Sequence, residues 1–147
     1  MRPNAIQSAG FPPDSVYFHG NNKSAEELRL ALKRRIGRIV VDNAAELQLL
    51  TSLAEESGHI PEILLRITPG VDAHTHGHLT TGTLASKFGI PLFKAEEAIS
   101  KAMAAASLDL VGLHFHIGSQ LTQTEPYREA VRIVLDAERS PTGRHLR

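Results

Sequence analysis

The run Ile63-Leu64-Leu65-Arg66-Ile67 decides the fold. Four of its five residues are aliphatic, and the run is too short for an ordinary helix, so it predicts a strand buried on both faces, as in parallel sheets. Three further apolar runs have the length of a strand, at residues 16–18, 39–41 and 110–117. The sequence therefore predicts four strands.

Helical patterns separate these strands. Ser24 and Asn43 are each followed three residues later by glutamate, which is typical of a capped helix start. Gly58 suits the end of the second helix, and Pro91 suits the first turn of a third. A fourth helix is predicted over about 124–139, with Tyr127, Val131, Val134 and Leu135 as its apolar members. Strands that alternate with helices favour a parallel sheet covered by helices.

Two architectures fit this alternation, an open doubly wound sheet and a closed barrel. The glycine fingerprint of dinucleotide-binding folds and the phosphate loop with its lysine are both missing from the sequence. A barrel of eight units takes about 250 residues. We therefore predict an α/β fold, a partial (β/α)8 barrel of about four units. Its domain is expected at residues 1–139, followed by an unrelated polar tail at 140–147.

Composition excludes several classes of protein. Sixteen Lys and Arg balance sixteen Asp and Glu, which removes the usual reason to expect nucleic acid or an anionic membrane as a partner. The 147 residues contain no cysteine, which excludes disulfides and thiolate chemistry. No apolar run reaches the length of about 18 residues that a membrane span needs. A cytoplasmic protein is expected.

Polar residues follow the strands at their carboxyl ends, where α/β proteins bind ligands. These residues are His19, Asn22, Lys23, Asp42, Asn43, Arg66, Thr68, His116 and Ser119. Arg66 interrupts an apolar strand, so its guanidinium must be paired or must face a ligand. Simpler interpretations stay open for the others. His19 and His114 could be hydrogen-bonded core or edge residues, and Asp42 and Asn43 could be helix caps.

The stretch from residue 69 to 89 is longer than most connections in compact domains, which favours a functional loop. His74, His76 and His78 alternate within it and would share one face if extended, so zinc is one hypothesis. A solvated or substrate-side loop is the alternative. Lys23 and Lys87 could equally be surface charges or site residues.

Four segments resemble the diaminopimelate decarboxylases, in the barrel class of pyridoxal-phosphate enzymes that also contains ornithine and arginine decarboxylases. The segments are FHGNNKS at 18–24, LRITPGV at 65–71, SKFG at 86–89 and HFHIGSQ at 114–120. They occur in the family's order within a resemblance that covers about residues 9–136. The residues of the segments HGNNKS and HIGSQ favour the diaminopimelate branch over the polyamine branch.

The resemblance implies pyridoxal 5'-phosphate as cofactor. His116 would stack on the pyridine ring, Ser119 would contact the phosphate, and Arg66 would lie near the phenolic oxygen and the stacking histidine. Asn22 and Lys87 would have supporting roles. The implied reaction converts meso-diaminopimelate to L-lysine and carbon dioxide, with a small amino acid as substrate and a homodimer as the complete enzyme.

The sequence also departs from the family. The enzymes carry a Schiff-base lysine in an Ala-x-Lys-Ala-Asn-like context, and none of the five lysines here lies in one. The glycine-rich phosphate loop and the acidic partner of the ring nitrogen are also missing. We therefore expect a fragment of the enzyme that is inactive alone. A fragment of a polyamine-type decarboxylase, a noncatalytic cofactor-binding module and a metal-binding protein remain as alternatives.

Overall fold

The computed structural model describes residues 10–71, 88–118 and 124–138. Within these ranges the chain forms five strands, four α-helices and two short 3-10 turns. The strands are β1 (Tyr17–Phe18), β2 (Arg38–Val41), β3 (Glu62–Thr68), β4 (Ile90–Pro91) and β5 (Asp109–Phe115). The helices are α1 (Ala25–Lys33), α2 (Ala44–Ser57), α3 (Ala95–Ala104) and α4 (Glu125–Glu138).

The strands form one parallel sheet in which β1, β2, β3 and β5 lie side by side in chain order. β1 pairs with β2, β2 with β3, and β3 with β5. The short strand β4 pairs with Ile67 and Thr68 of β3, beyond the residues that β2 contacts. A sheet wound in one direction is the wall of a barrel, whereas a doubly wound sheet reverses its strand order. The predicted partial barrel is confirmed.

The core of the described sheet lies on one face. Ile63, Leu65 and Ile67 of β3 are buried in a cluster with side chains of α1, α2 and α3. Leu64 and Arg66 alternate with them and are only partly buried. The prediction that this strand is buried on both faces was therefore wrong, because the helix layer among the described residues covers one face alone.

Local signals set the helix ends as predicted. The Ser24 side chain accepts from the Glu27 amide while the Glu27 carboxylate accepts from the Ser24 amide, which completes a capping box. Asn43 Oδ1 accepts from the Glu46 amide at 2.9 Å, and Gly58 ends α2 with φ at 66°. These caps fix the residues at which α1 and α2 begin and the residue at which α2 ends.

Two helix predictions need correction. Pro91 does not begin the third helix, because buried Ile90 and Pro91 pair with β3 and a 3-10 turn intervenes before α3. In α4 the predicted apolar face included Val131, yet the buried residues are Ala130 and Val134. Tyr127, Val131 and Leu135 are exposed instead. No helix in the described part of the chain is both long and apolar enough to cross a membrane.

Candidate functional site

Four polar side chains gather at the carboxyl ends of the strands, on the sheet face opposite the core. Arg66 pairs in register with His114 of β5. Asp42 directly follows Val41, the partner of Leu65, and His19 directly follows Phe18, the partner of Ile39. Paired residues of parallel strands point to the same face. We call His19, Asp42, Arg66 and His114 the rim cluster.

An ion pair forms the centre of the rim cluster. Arg66 Nη1 donates to Asp42 Oδ1 at 2.7 Å, and the two side chains are 19% and 5% exposed. The expectation that Arg66 must be paired or face a ligand is confirmed. The capping interpretation of Asp42 was wrong, since Asn43 alone caps α2 and Asp42 holds the guanidinium.

Phe88 and Gly89, which directly precede β4, lie against Arg66 and Thr68. The Phe88 ring lies 5.5 Å from the guanidinium carbon, and Thr68 Oγ1 donates to the Phe88 carbonyl at 2.6 Å. Gly89 has φ at +84°, and a Cβ there would come within 2.6 Å of Thr68 Oγ1. Glycine is therefore required for this close approach.

The two histidines of the rim cluster pack edge to face. The ring centroids of His19 and His114 are 4.7 Å apart, with an angle of 67° between the planes. Burial, with the charges of His19 and Arg66, lowers the pKa of His114 to about 4. Burial, then Lys23 and Arg66, lowers the pKa of His19. Both imidazoles are therefore neutral near pH 7.

His114 also carries an unsatisfied atom. Its Nδ1 is buried and has no hydrogen-bond partner among the described residues. Such atoms are rare in folded proteins and mark a place for a missing partner. The interpretation of His114 as an ordinary hydrogen-bonded residue is therefore wrong for this nitrogen.

The motif after β5 presents an exposed imidazole. His116 lies one residue beyond the strand and two beyond His114, the spacing that returns a strand residue to the same face. Its side chain is exposed. Gly118 follows with φ at +125°. Ser119 itself lies outside the described residues, as does Lys87.

The segment FHGNNKS at residues 18–24 contains both exposed and buried side chains. Asn22 is exposed and lines a pocket of about 160 Å³ together with His19, Gly20 and Lys23. Lys23 is 7% exposed and forms an ion pair with Glu46 at 2.6 Å. The interpretation of Lys23 as a surface charge was therefore wrong.

The zinc hypothesis rests on His74, His76 and His78, which lie outside the described residues. In the described ranges, no group of three His, Asp or Glu residues is arranged to hold a metal ion. The rim cluster offers different chemistry. A cation fixed by a carboxylate, a neutral imidazole pair and an exposed imidazole suit a planar, anionic ligand that can accept hydrogen bonds.

The sequence predicts the polar residues of this rim, but the ion pair between Asp42 and Arg66 was not predicted. The signal was present in the spacing from the strand ends. Asp42 follows Ile39-Val40-Val41, and Arg66 stands at the corresponding height in Ile63–Ile67. Aligning the two apolar runs places both residues on one face.

Known proteins resemble this chain in sequence and in structure. The family model for the pyridoxal-binding domain of pyridoxal-dependent decarboxylases matches residues 4–139. The diaminopimelate decarboxylase of Bacillus subtilis is 54% identical over 119 residues, which are 80% of this chain and 27% of that protein. The chain spans about 30% of the length of the next relatives, including the diaminopimelate decarboxylase of Bacillus methanolicus.

A solved structure agrees with these matches. The diaminopimelate decarboxylase of Helicobacter pylori, complexed with L-lysine, superposes with a TM-score of 0.83 and 37% identity. The superposition covers 95% of this chain and 36% of that one. From the match of the family model over residues 4–139, together with the parallel barrel wall and its rim cluster, the chain belongs to the pyridoxal-dependent decarboxylases.

Proposed function

We propose that this chain forms one wall of the cofactor site of a diaminopimelate decarboxylase. The protein would remove the carboxylate at the D-centre of meso-diaminopimelate as carbon dioxide and place a proton on the same carbon, giving L-lysine. The rim cluster carries the proposal, because three of its residues, His19, Arg66 and His114, lie within segments that resemble that branch. The identity of 54% with the Bacillus subtilis enzyme supports the same substrate class.

The residues fit pyridoxal 5'-phosphate. Its phenolic oxygen is anionic, and Arg66 offers a guanidinium that Asp42 holds in place. Its ring is planar, and His116 offers an exposed imidazole. The buried Nδ1 of His114, which has no hydrogen-bond partner among the described residues, lies on the same face. When bound, the cofactor would accept the electron pair that the departing carboxylate leaves behind.

Each residue has a distinct task in this proposal. Arg66 binds the phenolic oxygen, and Asp42 keeps the guanidinium from turning away. His116 stacks on the ring and orients it, while Ser119 binds the phosphate. His114 and His19 remain neutral near pH 7, so Arg66 is the cation that meets the anionic oxygen. Asn22 and Lys87 would have supporting roles.

We propose further that the 147-residue chain alone does not turn over substrate, because none of its five lysines has the context of the Schiff-base lysine. A homodimer and a cytoplasmic location are expected by analogy with the family and remain proposals. Solved structures of a lysine decarboxylase and an arginine decarboxylase share only 22% and 20% sequence identity with this chain, which supports a common fold and nothing further. The diaminopimelate branch is therefore preferred.

A chimera tests the function. The segment of the Bacillus subtilis diaminopimelate decarboxylase that aligns with this chain is replaced by this chain's own residues, and carbon dioxide release is measured. We expect release from meso-diaminopimelate and not from ornithine or arginine. Release from ornithine or arginine instead would favour the polyamine branch. A folded chimera that binds pyridoxal phosphate without any turnover would favour a noncatalytic cofactor-binding module.

A further inference from the structure

The ammonium of Lys23 joins three separate parts of the fold. Lys23 Nζ donates to the Gly20 carbonyl at 2.7 Å, to the Val40 carbonyl at 2.7 Å and to Glu46 Oε1 at 2.6 Å. An ammonium has three N–H donors, so every donor is used. The Lys23 and Glu46 side chains are 2% and 4% exposed. The chain thus buries a complete three-way junction.

Each attachment point adjoins a residue of the site. Gly20 lies between His19 and Asn22, and Val40 lies on β2 two residues before Asp42, which directly follows that strand. Glu46 stands in the first turn of α2. Burial raises the pKa of the Glu46 carboxyl. Lys23 and a hydrogen bond from the Asp42 backbone act in the opposite direction and lower it. The junction therefore couples the loop of His19 to the strand of Asp42.

Stability alone does not account for this arrangement. A buried ion pair can often be replaced by apolar residues without loss of stability, so the pair is weak evidence for a stabilising role. Two of the three acceptors here are backbone carbonyls, which an apolar side chain cannot satisfy. The distinctive contribution of Lys23 is the geometry of residues 19–22 relative to β2.

We propose that Lys23 is a positioning residue for cofactor binding, which ties the loop at residues 19–22 to β2 and α2 so that His19 packs on His114 beside Arg66. This inference rests on the proposed function. His19 contacts His114 directly, and Lys23 lies close enough to contribute to the lowered pKa of His19. Releasing the loop would loosen the histidine pair without touching Arg66, Asp42 or His116.

The test separates positioning from stability with a double variant in the chimera. Lys23→Met alone leaves a buried carboxylate without its cation, so we expect a lower urea midpoint. Lys23→Met with Glu46→Leu removes both charges, so we expect the midpoint to recover part of this loss, while the Gly20 and Val40 carbonyls still lack the Lys23 donor. The dissociation constant for pyridoxal phosphate should nevertheless rise about tenfold in the double variant. Backbone amides at residues 20–23 should also exchange hydrogen faster.

Lys33→Met is the matched control, because Lys33 is an exposed lysine at the end of α1, which begins two residues after Lys23. It should leave the urea midpoint, cofactor binding and amide exchange unchanged. A double variant that binds pyridoxal phosphate as the parent does, with protected amides at 20–23, would overturn the role of Lys23. A parent chimera that binds no pyridoxal phosphate would overturn the proposed function and this inference together.

Discussion

The ion pair between Asp42 and Arg66 gives the most quantitative prediction. Its atoms are 2.7 Å apart, so the attraction is about 6 kcal/mol at an effective dielectric constant of about 20. Desolvation of both groups offsets part of this gain. Removing one partner of a buried pair costs about 3–5 kcal/mol, because the other charge is left unpaired. Since the Arg66 side chain is 19% exposed, we expect Asp42→Ala to cost about 3 kcal/mol.

Urea unfolding of the chain, followed by circular dichroism, measures this cost. A loss of about 3 kcal/mol corresponds to a midpoint about 1.5 M lower if the slope is about 2 kcal/mol per molar urea. The second variant, Asp42→Ala with Arg66→Met, removes the unpaired guanidinium. It should recover most of the loss.

A second ion pair in the same sheet is the matched control. Arg38 Nε lies 2.9 Å from Glu62 Oε2, but the two side chains are 39% and 45% exposed. Exposed pairs contribute about 0–1 kcal/mol, so Glu62→Ala should shift the midpoint by less than about 0.5 M. Equal shifts for Asp42→Ala and Glu62→Ala would refute the argument that burial makes the rim pair important.

Three further predictions concern the frame of the site. Gly89→Ala should destabilise the chain more than Gly70→Ala. Both glycines have positive φ, but only at Gly89 would an added Cβ come within 2.6 Å of Thr68 Oγ1. The urea midpoints of the two variants test this difference in stability. Ser24→Ala should cost about 1 kcal/mol through loss of the capping box, whereas Ser52→Ala on the exposed face of α2 should cost less than about 0.5 kcal/mol. The pKa of His114 is about 4 in the folded chain and 6.5 ordinarily, so the unfolded chain binds more protons between these values. Stability should therefore fall as the pH is lowered through that window, and His114→Phe should reduce the fall in urea midpoint between pH 7 and pH 5; an identical fall in the variant would contradict the assignment.

Capping and periodicity gave reliable predictions where a local interaction decides the structure. Ser24, Asn43 and Gly58 each act through backbone groups within four residues, so the sequence pattern contains the whole interaction. The parallel sheet followed from the alternation of elements. The candidate site at the rim was predicted from the general rule that ligands meet the carboxyl ends of strands.

Interactions between distant residues were not readable in the same way. Lys23 forms an ion pair with Glu46, 23 positions along the chain, and Asp42 forms one with Arg66, 24 positions along. Neither ion pair therefore leaves a pattern within one short stretch of sequence. Lys23 looks like a surface lysine because the pattern around it is polar. The exposed face of α4 was also missed, because an apolar stripe predicts burial only when another element covers it.

Cofactor binding decides whether this rim is the cofactor site. In the chimera, the dissociation constant for pyridoxal phosphate is measured for the parent, for His116→Ala and for His59→Ala, since His59 lies three residues before the start of β3 and so away from the carboxyl ends of the strands. We expect His116→Ala to weaken binding about tenfold or more and His59→Ala to leave it unchanged. Equal binding by the two variants would contradict the assignment of this rim as the cofactor site.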